Sequence, residues 1–354
     1  MSAKLLGVGS YLPTLRITNQ DFIAHRFYKD IDQPFEDSNE IIIEKFKDIT
    51  GIEERRYAQK EETNSDLGII AAQKAIDASG IDPELIDYII FAHNFGDVRF
   101  ASNHLDMLPA LASRVKHALG IANPNCVAYD MLFGCPGWIE ALIQANLFIK
   151  AGAAKFCLVI GSETLSRVVD PHDRDSMIFA DGAGACILAA HDSADGSGIL
   201  AHATQTFTKD EAYFLNNGPS LNSKHHIHEK YIKMQGRKIY EFALTKVPAA
   251  MKIALDKSGV SVDQVKKIFI HQANEKMDEA IIDRFYRLYK AARPEHIMPM
   301  NIQFNGNSSV ATVPTLLDAV IRGEYPEHHL NKGDVIILAS VGAGMNINAV
   351  VYRW

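Results

Sequence analysis

Cysteine is scarce in this chain: four residues in 354, too sparse for a disulfide framework. Cys126, Cys135, Cys157 and Cys186 have no C-x-x-C spacing, so a zinc cage is not expected. No apolar run approaches the roughly 18 residues that a membrane-spanning helix needs. The segment Met1 to Pro13 is broken by Gly7, Gly9 and Pro13, and reads as a first strand rather than a signal peptide. Basic charge is also short. Lys and Arg number 36 against 43 Asp and Glu, a formal net charge of -7, and non-specific nucleic-acid binding needs the opposite sign. Apolar material, by contrast, is plentiful: 47% hydrophobic and 9% aromatic exclude a disordered chain and supply a large core. The length fits two domain-sized units. Together these features predict a soluble α/β enzyme of a reducing, cytoplasmic compartment.

Short β-branched runs alternate with helical stretches, which predicts a layered α/β fold. Strands are expected at Lys4 to Val8, Ile86 to Ala92, Cys126 to Asp130, Phe156 to Gly161 and Ala185 to Ala190, then at Gly198 to Gln205, Lys267 to His271, Asp334 to Val341 and Met345 to Tyr352. Helices are expected at Leu67 to Ala78, Met107 to Leu119, Gly137 to Ala151, Arg237 to Lys257, Asn274 to Ala292 and Val313 to Arg322. An internal repeat organises them. Ala71 to His93 reads helix, Ser79-Gly80, then a strand ending at His93; Ala249 to His271 repeats this with Ser258-Gly259 and His271. In both copies Gly ends the helix, where a left-handed residue costs least in glycine. Gly182-Ala183-Gly184 and Gly342-Ala343-Gly344 make a second parallel, each expected just before a terminal strand. Two similar halves follow, residues 1–192 and 193–354, and a pocket is expected where they meet.

Cys135 is the strongest nucleophile candidate. It stands between a strand and Pro136-Gly137, which opens a long helix. Pro suits a first helical position, so Cys135 reads as the helix cap, where the dipole should lower the thiol pKa. The other three Cys sit in apolar runs and read as core residues. His271 closes a strand, and Asn307 lies in the polar loop Asn305-Gly306-Asn307-Ser308-Ser309. From spacing alone, both are equally consistent with structural residues and turn chemistry. The cluster His225-His226-Ile227-His228 lacks the carboxylates or cysteines that would complete a metal site, and reads as a surface loop.

The wording around these residues is more specific. Thr50-Gly51-Ile52 with Glu54-Arg55, the Cys135 elbow and Phe179-Ala180-Asp181-Gly182-Ala183-Gly184-Ala185 come first. Met234-Gln235-Gly236, His271-Gln272-Ala273-Asn274, Gly306-Asn307-Ser308-Ser309 and Gly342-Ala343-Gly344 follow in order. Across nearly its whole length the chain resembles the 3-oxoacyl-acyl-carrier-protein synthase III enzymes. That resemblance implies a thiolase-like fold of two similar halves in a five-layer α-β-α-β-α arrangement. It also implies a homodimer, no cofactor and no metal. Cys135, His271 and Asn307 match the family's catalytic residues. Cys135 would hold the primer as a thioester, and His271 and Asn307 would stabilise the enolate formed when a malonyl-type extender loses carbon dioxide. Backbone N–H groups of Cys135 and Ala343 would form a second oxyanion hole. Leu108, Trp138 and Gly236 would bound the acyl pocket, with Leu108 near the dimer interface.

Departures from the family pattern are also informative. Counterparts of the residues that stack the adenine of coenzyme A read Lys45 and Ile49, which leaves both an acyl-CoA and an acyl-carrier-protein primer open. Leu108 replaces a Phe that floors the acyl pocket, so a primer longer or bulkier than acetyl is expected. Asn94 to Asp106 reads as an insertion. Lys276 matches a carrier-docking Arg, and Arg284, Arg287, Lys290 and Arg293 follow it; an acidic carrier needs such a basic face on an acidic enzyme. A plain thiolase would want a second Cys near the C-terminus, but the last is Cys186. Hydroxymethylglutaryl-CoA synthase would want an early catalytic Glu, and neither Glu61 nor Glu62 can be assigned to that role. Two other readings remain: a specialised ketosynthase condensing two acyl thioesters toward dialkylresorcinol-type lipids, and a non-catalytic partner subunit. The latter typically loses its nucleophile, whereas Cys135 is present.

Overall fold

The structure, a computed structural model, describes residues 2–102, 104–192, 196–225 and 228–354. The first half runs β1 (Ser2–Tyr11), β2 (Leu15–Thr18), β3 (Tyr28–Asp30), β4 (Gln33–Pro34), α1 (Asn39–Thr50), β5 (Glu54–Tyr57), α2 (Asn64–Ser79) and β6 (Tyr88–His93). It continues through α3 (Leu111–Ala118), β7 (Val127–Leu132), α4 (Gly137–Lys150), β8 (Phe156–Thr164) and β9 (Asp181–His191). The second half runs β10 (Gly198–Thr206), β11 (Leu215–Gly218), β12 (Tyr231–Met234), α5 (Gly236–Ser258), β13 (Val265–Ile270), α6 (Glu275–Leu288), α7 (Ile302–Asn305), α8 (Thr312–Ile321), β14 (Val335–Gly342) and β15 (Asn346–Arg353).

Two mixed sheets carry the repeat. The first has the order β1-β9-β8-β6-β7 and the second β10-β15-β14-β13. In each, a parallel pair (β6 with β8, β13 with β14) continues into antiparallel neighbours. Among the described residues β7 has no counterpart in the second sheet. Gly80 and Gly259 end α2 and α5 at φ +67° and +71°, so the repeated helix–Gly–strand unit has one backbone form in both halves. Passage between the sheets falls between His191 and Gly198; Ser193, where the sequence placed the division, lies outside the described residues.

The strands dictate the layering. β14 alternates Val335, Ile337, Ala339 and Val341 against α5 and α6 with Ile336 and Leu338 against α4 and α8. Buried on both faces, it reads as an unbroken apolar run. β9 does the same, turning Ala183, Ala185 and Ile187 toward α2 and α3 and Cys186 and Leu188 toward the middle layer. The result is five layers: α2 and α3, the first sheet, α4 and α8, the second sheet, α5 and α6. Cys126, Cys157 and Cys186 are all buried in this core, as expected. No helix among the described residues is long and apolar enough to cross a membrane.

Three local differences from the sequence reading have physical causes. The helix expected from Met107 begins only at Leu111. A proline follows Leu108, and the residue before proline is disfavoured in the helical region; the Asp130 carboxylate on β7 accepts the Leu111 and Ala112 N–H groups at 2.7 and 2.8 Å. That cap comes from a distant strand. Gly182-Ala183-Gly184 lies inside β9 rather than ahead of it, because a Cβ at Gly184 would come within 2.6 Å of Pro314 on α8. Its sequence twin, Gly342 to Gly344, is the tight link between β14 and β15. Helix α1 was not anticipated; its β-branched Ile41-Ile42-Ile43 run masks a helix that buries Ile42, Ile43, Phe46 and Thr50.

Candidate active site

Cys135 stands at the elbow between β7 and α4, and glycines let another backbone press against it. Gly134 has φ +66°, and a Cβ on it would lie 2.8 Å from the Ala343 nitrogen. A Cβ on Gly342 would lie 2.5 Å from the Cys135 nitrogen. The β14–β15 link is thereby seated on the elbow, bringing the backbones of Cys135 and Ala343 side by side. Pro136, not Cys135, is the helix cap. The thiol also differs from expectation: burial pushes it up to about 11, with the Glu163 carboxylate adding to the rise and the Ser309 hydroxyl opposing it. A helix N-terminus supplies up to about 2 kcal/mol in partly buried sites, and here desolvation outweighs it.

His271 follows β13 directly and is buried, its N–H donating to the Ala339 carbonyl of β14 at 2.8 Å. Its Nδ1 is 2.7 Å from Thr312 Oγ1. Burial pushes the imidazole down to about 4, so the ring is neutral at pH 7. His93, its repeat partner, ends β6 in a different setting: Nδ1 accepts the Gly96 N–H at 3.0 Å, and Nε2 lies 3.1 Å from Asp130. One His of the pair braces α3 and β7. The other faces a cavity.

Asn307 is held by both backbone groups, its N–H donating to Ile178 at 2.9 Å and its carbonyl accepting from Ala180 at 2.8 Å. Arg55, with no exposed surface, fixes this neighbourhood. Its guanidinium donates to the Met177 carbonyl (3.0 Å), the Ile17 carbonyl (3.2 Å) and Asn19 Oδ1 (2.7 Å). Asp181 pins the same loop, accepting from the Ala58 and Ser166 N–H groups at 2.7 and 2.8 Å. The Glu54-Arg55 and Phe179-Ala180-Asp181 motifs are thus the brace behind Asn307.

Ser309 ties the site together. Buried, and at φ +54°, it donates its N–H to Asn307 Oδ1 at 2.8 Å. This leaves the Asn307 amide nitrogen free to point outward. The Ser309 carbonyl lies 3.0 Å from Thr312 Oγ1, the same oxygen that contacts His271. Its Oγ accepts from Asn94 Nδ2 at 3.1 Å.

Cys135 lies between two cavities. One, of about 210 Å³, has apolar walls at Phe95, Leu165, Phe179 and Ile232, with Asn94 and Ser309 beside the sulfur. The other, of about 50 Å³, is lined by His271, Asn307, Ala273, Met277 and Gly342. Phe179 and Leu215 border both. A thiol, a neutral imidazole and an outward-facing amide around a largely apolar slot suit acyl transfer through a covalent thioester.

Comparison with known proteins agrees. The family model for 3-oxoacyl-[acyl-carrier-protein (ACP)] synthase III matches residues 129–207, and the model of its C-terminal part matches residues 255–354. The β-ketoacyl-[acyl-carrier-protein] synthase III of Sphingopyxis alaskensis is 33% identical over 355 residues, covering 99% of this chain and 98% of its own. The chain belongs to the 3-oxoacyl-[acyl-carrier-protein] synthase III family. The crystal structure of the Thermus thermophilus synthase III matches with a TM-score of 0.80 at 30% identity, over 99% of this chain and 98% of that one. That of Aquifex aeolicus gives 0.78 at 32% identity, over 99% and 100%. The fold is therefore thiolase-like, and the protein is an acyltransferase with the condensing activity of a β-ketoacyl-ACP synthase III.

The remaining residues singled out in the sequence are more scattered. Trp138 has no exposed surface and packs in the middle layer between the sheets. Gly236 opens α5 on the exposed side, and its neighbours Met234 and Ile239 line the smaller cavity instead. Leu108 is 88% exposed ahead of α3, and none of these three lines either cavity. Lys45 is engaged by Asp37 at 2.7 Å and Ile49 is exposed. On α6, Lys276 and Arg284 are exposed, whereas Arg293 folds back onto Glu279 and Asp283. The segment Asn94 to Asp106 is tied to α3 by Arg114, which bridges Asp97 and Asp106 at 2.7 and 2.6 Å; Asn103 within it lies outside the described residues. His226 and Ile227 of the histidine cluster also lie outside them, and no group of potential metal ligands forms among the described residues. Ser309, Thr312, Asn94 and Glu163 were missed as site residues. Only the Gly306-Asn307-Ser308-Ser309 wording hinted at Ser309.

Proposed function

We propose that this synthase III primes on Cys135 and condenses at His271 and Asn307. In the first half-reaction the Cys135 sulfur attacks the carbonyl of an acyl thioester. The N–H groups of Cys135 and Ala343 receive the resulting oxyanion, and the carrier thiol leaves with a proton. In the second, the carboxyl–carbon bond of a malonyl-type extender breaks, carbon dioxide departs, and its electron pair becomes an enolate. His271 Nε2–H and the Asn307 amide donate to the enolate oxygen. The enolate carbon then attacks acyl-Cys135 and its carbon–sulfur bond breaks, giving a 3-oxoacyl thioester and the Cys135 thiolate, which takes up a proton from water. This role needs His271 protonated on Nε2, and so requires the Thr312 hydroxyl to donate to Nδ1 rather than to the Ser309 carbonyl. The observation that carries the reading is that one residue, Ser309, contacts the Asn307 amide, borders the Cys135 cavity and shares Thr312 with His271.

The larger cavity is proposed to take the primer, and the smaller to admit the thioester arm of the extender. With Lys45 held by Asp37 and Ile49 aliphatic, the adenine-stacking pair is missing, which supports a carrier-borne primer. Lys276 and Arg284 are proposed as the carrier contact, and a homodimer is proposed with Leu108 at its interface. Intact-mass measurement of the protein after incubation with acyl-CoA and acyl-carrier-protein panels tests the central claim. A stoichiometric acyl adduct lost in Cys135→Ala is expected; adducts persisting in that variant would refute it. Faster loading of acetyl-CoA than of any longer or carrier-borne primer would remove the substrate claims.

A further inference from the structure

The proposed chemistry leaves a buried carboxyl unused. Glu163 is the penultimate residue of β8, with no exposed surface. One carboxyl oxygen accepts a hydrogen bond from Asn94 Nδ2, and the other has no hydrogen-bond partner. The same Asn94 nitrogen donates to Ser309 Oγ at 3.1 Å. Both amide hydrogens are therefore spent, one on Glu163 and one on Ser309. Ser309 Oγ accepts this hydrogen bond, so its own hydrogen must point elsewhere. The Cys135 thiol, which borders the same cavity, is the group that this hydroxyl acts on by hydrogen bonding.

We propose that Glu163 and Asn94 are positioning residues for the nucleophile. The carboxyl fixes the Asn94 amide, and the amide turns the Ser309 hydroxyl so that its proton is donated to the Cys135 sulfur. A hydroxyl is both donor and acceptor and will rotate to suit its surroundings. Loading its acceptor side from Asn94 removes the alternative. A hydrogen bond to the ionised sulfur is worth more than one to the thiol, so the device acts mainly as negative charge builds on the sulfur during attack.

The charge environment is compatible with this role. Burial raises the Glu163 carboxyl to about 8, so it is mostly neutral at pH 7. An ionised carboxylate there would work against the thiolate, as its effect on Cys135 shows. The charged groups bearing on Glu163 are few: Asp181 from β9 raises it further, and Arg167 beyond lies close enough to offset Asp181. Glu163 thus supplies an acceptor without a charge at working pH.

The inference rests on Cys135 being the nucleophile, but its test does not need turnover. The full-length protein is alkylated with iodoacetamide between pH 6 and 11, and the rate at Cys135 is followed by mass. Ser309→Ala and Asn94→Ala should each raise the apparent thiol pKa by about one unit, a thiolate population about tenfold smaller at pH 7 and, once the gain in intrinsic nucleophilicity is counted, alkylation about threefold slower. The double variant should behave like Ser309→Ala alone, since both act through one hydroxyl. At pH 7, where Glu163 is mostly neutral, Glu163→Ala should copy Asn94→Ala, and Glu163→Gln, which keeps the acceptor, should recover most of the rate. Thermal melts identify any variant that has lost its fold, in which case Glu163→Gln decides. An unmoved thiol pKa in Ser309→Ala, or fully additive effects of Asn94→Ala and Ser309→Ala, would overturn the proposal. Absence of an acyl adduct in the wild type would instead refute the nucleophile reading, leaving these titrations interpretable.

Discussion

His271→Ala separates the two half-reactions. In the proposed site the enolate oxygen has two side-chain donors, the imidazole and the Asn307 amide nitrogen. The amide oxygen is already committed to the Ser309 N–H at 2.8 Å, so Asn307 cannot turn to compensate. Removing one preorganised donor from a water-excluded site costs about 10²–10³ in rate, or about 2.7–4 kcal/mol. Because the ring is neutral, with its pKa pushed down to about 4 by burial, its loss removes no charge near Cys135. Acyl loading should therefore fall less than about threefold, while decarboxylation of a malonyl thioester falls at least a hundredfold. Loading is read by intact mass in single turnover, and decarboxylation by carbon dioxide release. The wild-type condensation step should show no His limb between pH 5 and 8, since a group lowered to about 4 is deprotonated throughout that range. Equal losses in both half-reactions, or a limb near 6.5, would refute the reasoning and make His271 a base for the thiol.

Thr312→Val removes the oxygen 2.7 Å from His271 Nδ1; condensation should slow about tenfold with loading unchanged, and Thr312→Ser should restore it. Gly342→Ala puts a methyl 2.5 Å from the Cys135 nitrogen. A displacement of about 1 Å costs on the order of 10²-fold, so both half-reactions should collapse, and unchanged loading would disprove the contact between link and elbow. Lys276→Glu with Arg284→Glu should raise KM for carrier-borne substrates several-fold at low salt, the effect shrinking as ionic strength rises. An unchanged KM would remove α6 as the docking face.

What the sequence revealed and what it hid divide along local and non-local physics. The α2–Gly80–β6 and α5–Gly259–β13 units were legible because helix periodicity and a left-handed glycine are local properties. Strand alternation in β14 and β9 was legible for the same reason. The start of α3 was not, because its cap is Asp130, about twenty residues away on another strand. Trp138 shows the same limit: its place beside Cys135 in the chain suggested the pocket, but helix rotation turns it into the middle layer. The positions of Cys135, His271 and Asn307 could be read from motif wording. Their coupling could not, since Ser309 acts through its backbone N–H, its carbonyl and a left-handed conformation that no residue type announces.

The state of the thiol was the furthest from local reading. Helix-terminus position argued for a lowered pKa, whereas burial sets it at about 11, four units above neutral pH. About one thiol in ten thousand is then ionised at pH 7. A thiol of pKa 7 would be half ionised, yet it would be the weaker nucleophile. With a Brønsted coefficient of about 0.4–0.5, four units are worth roughly 40- to 100-fold in reactivity. The net handicap of Cys135 is thus only about 50- to 125-fold, or roughly 2.5 kcal/mol. That is the size of effect that one or two charge-assisted hydrogen bonds at the sulfur can offset. Burial therefore does not argue against Cys135 as nucleophile. It makes donors at the sulfur decisive, and places the sensitive point of priming at the Ser309 hydroxyl rather than at the α4 N-terminus.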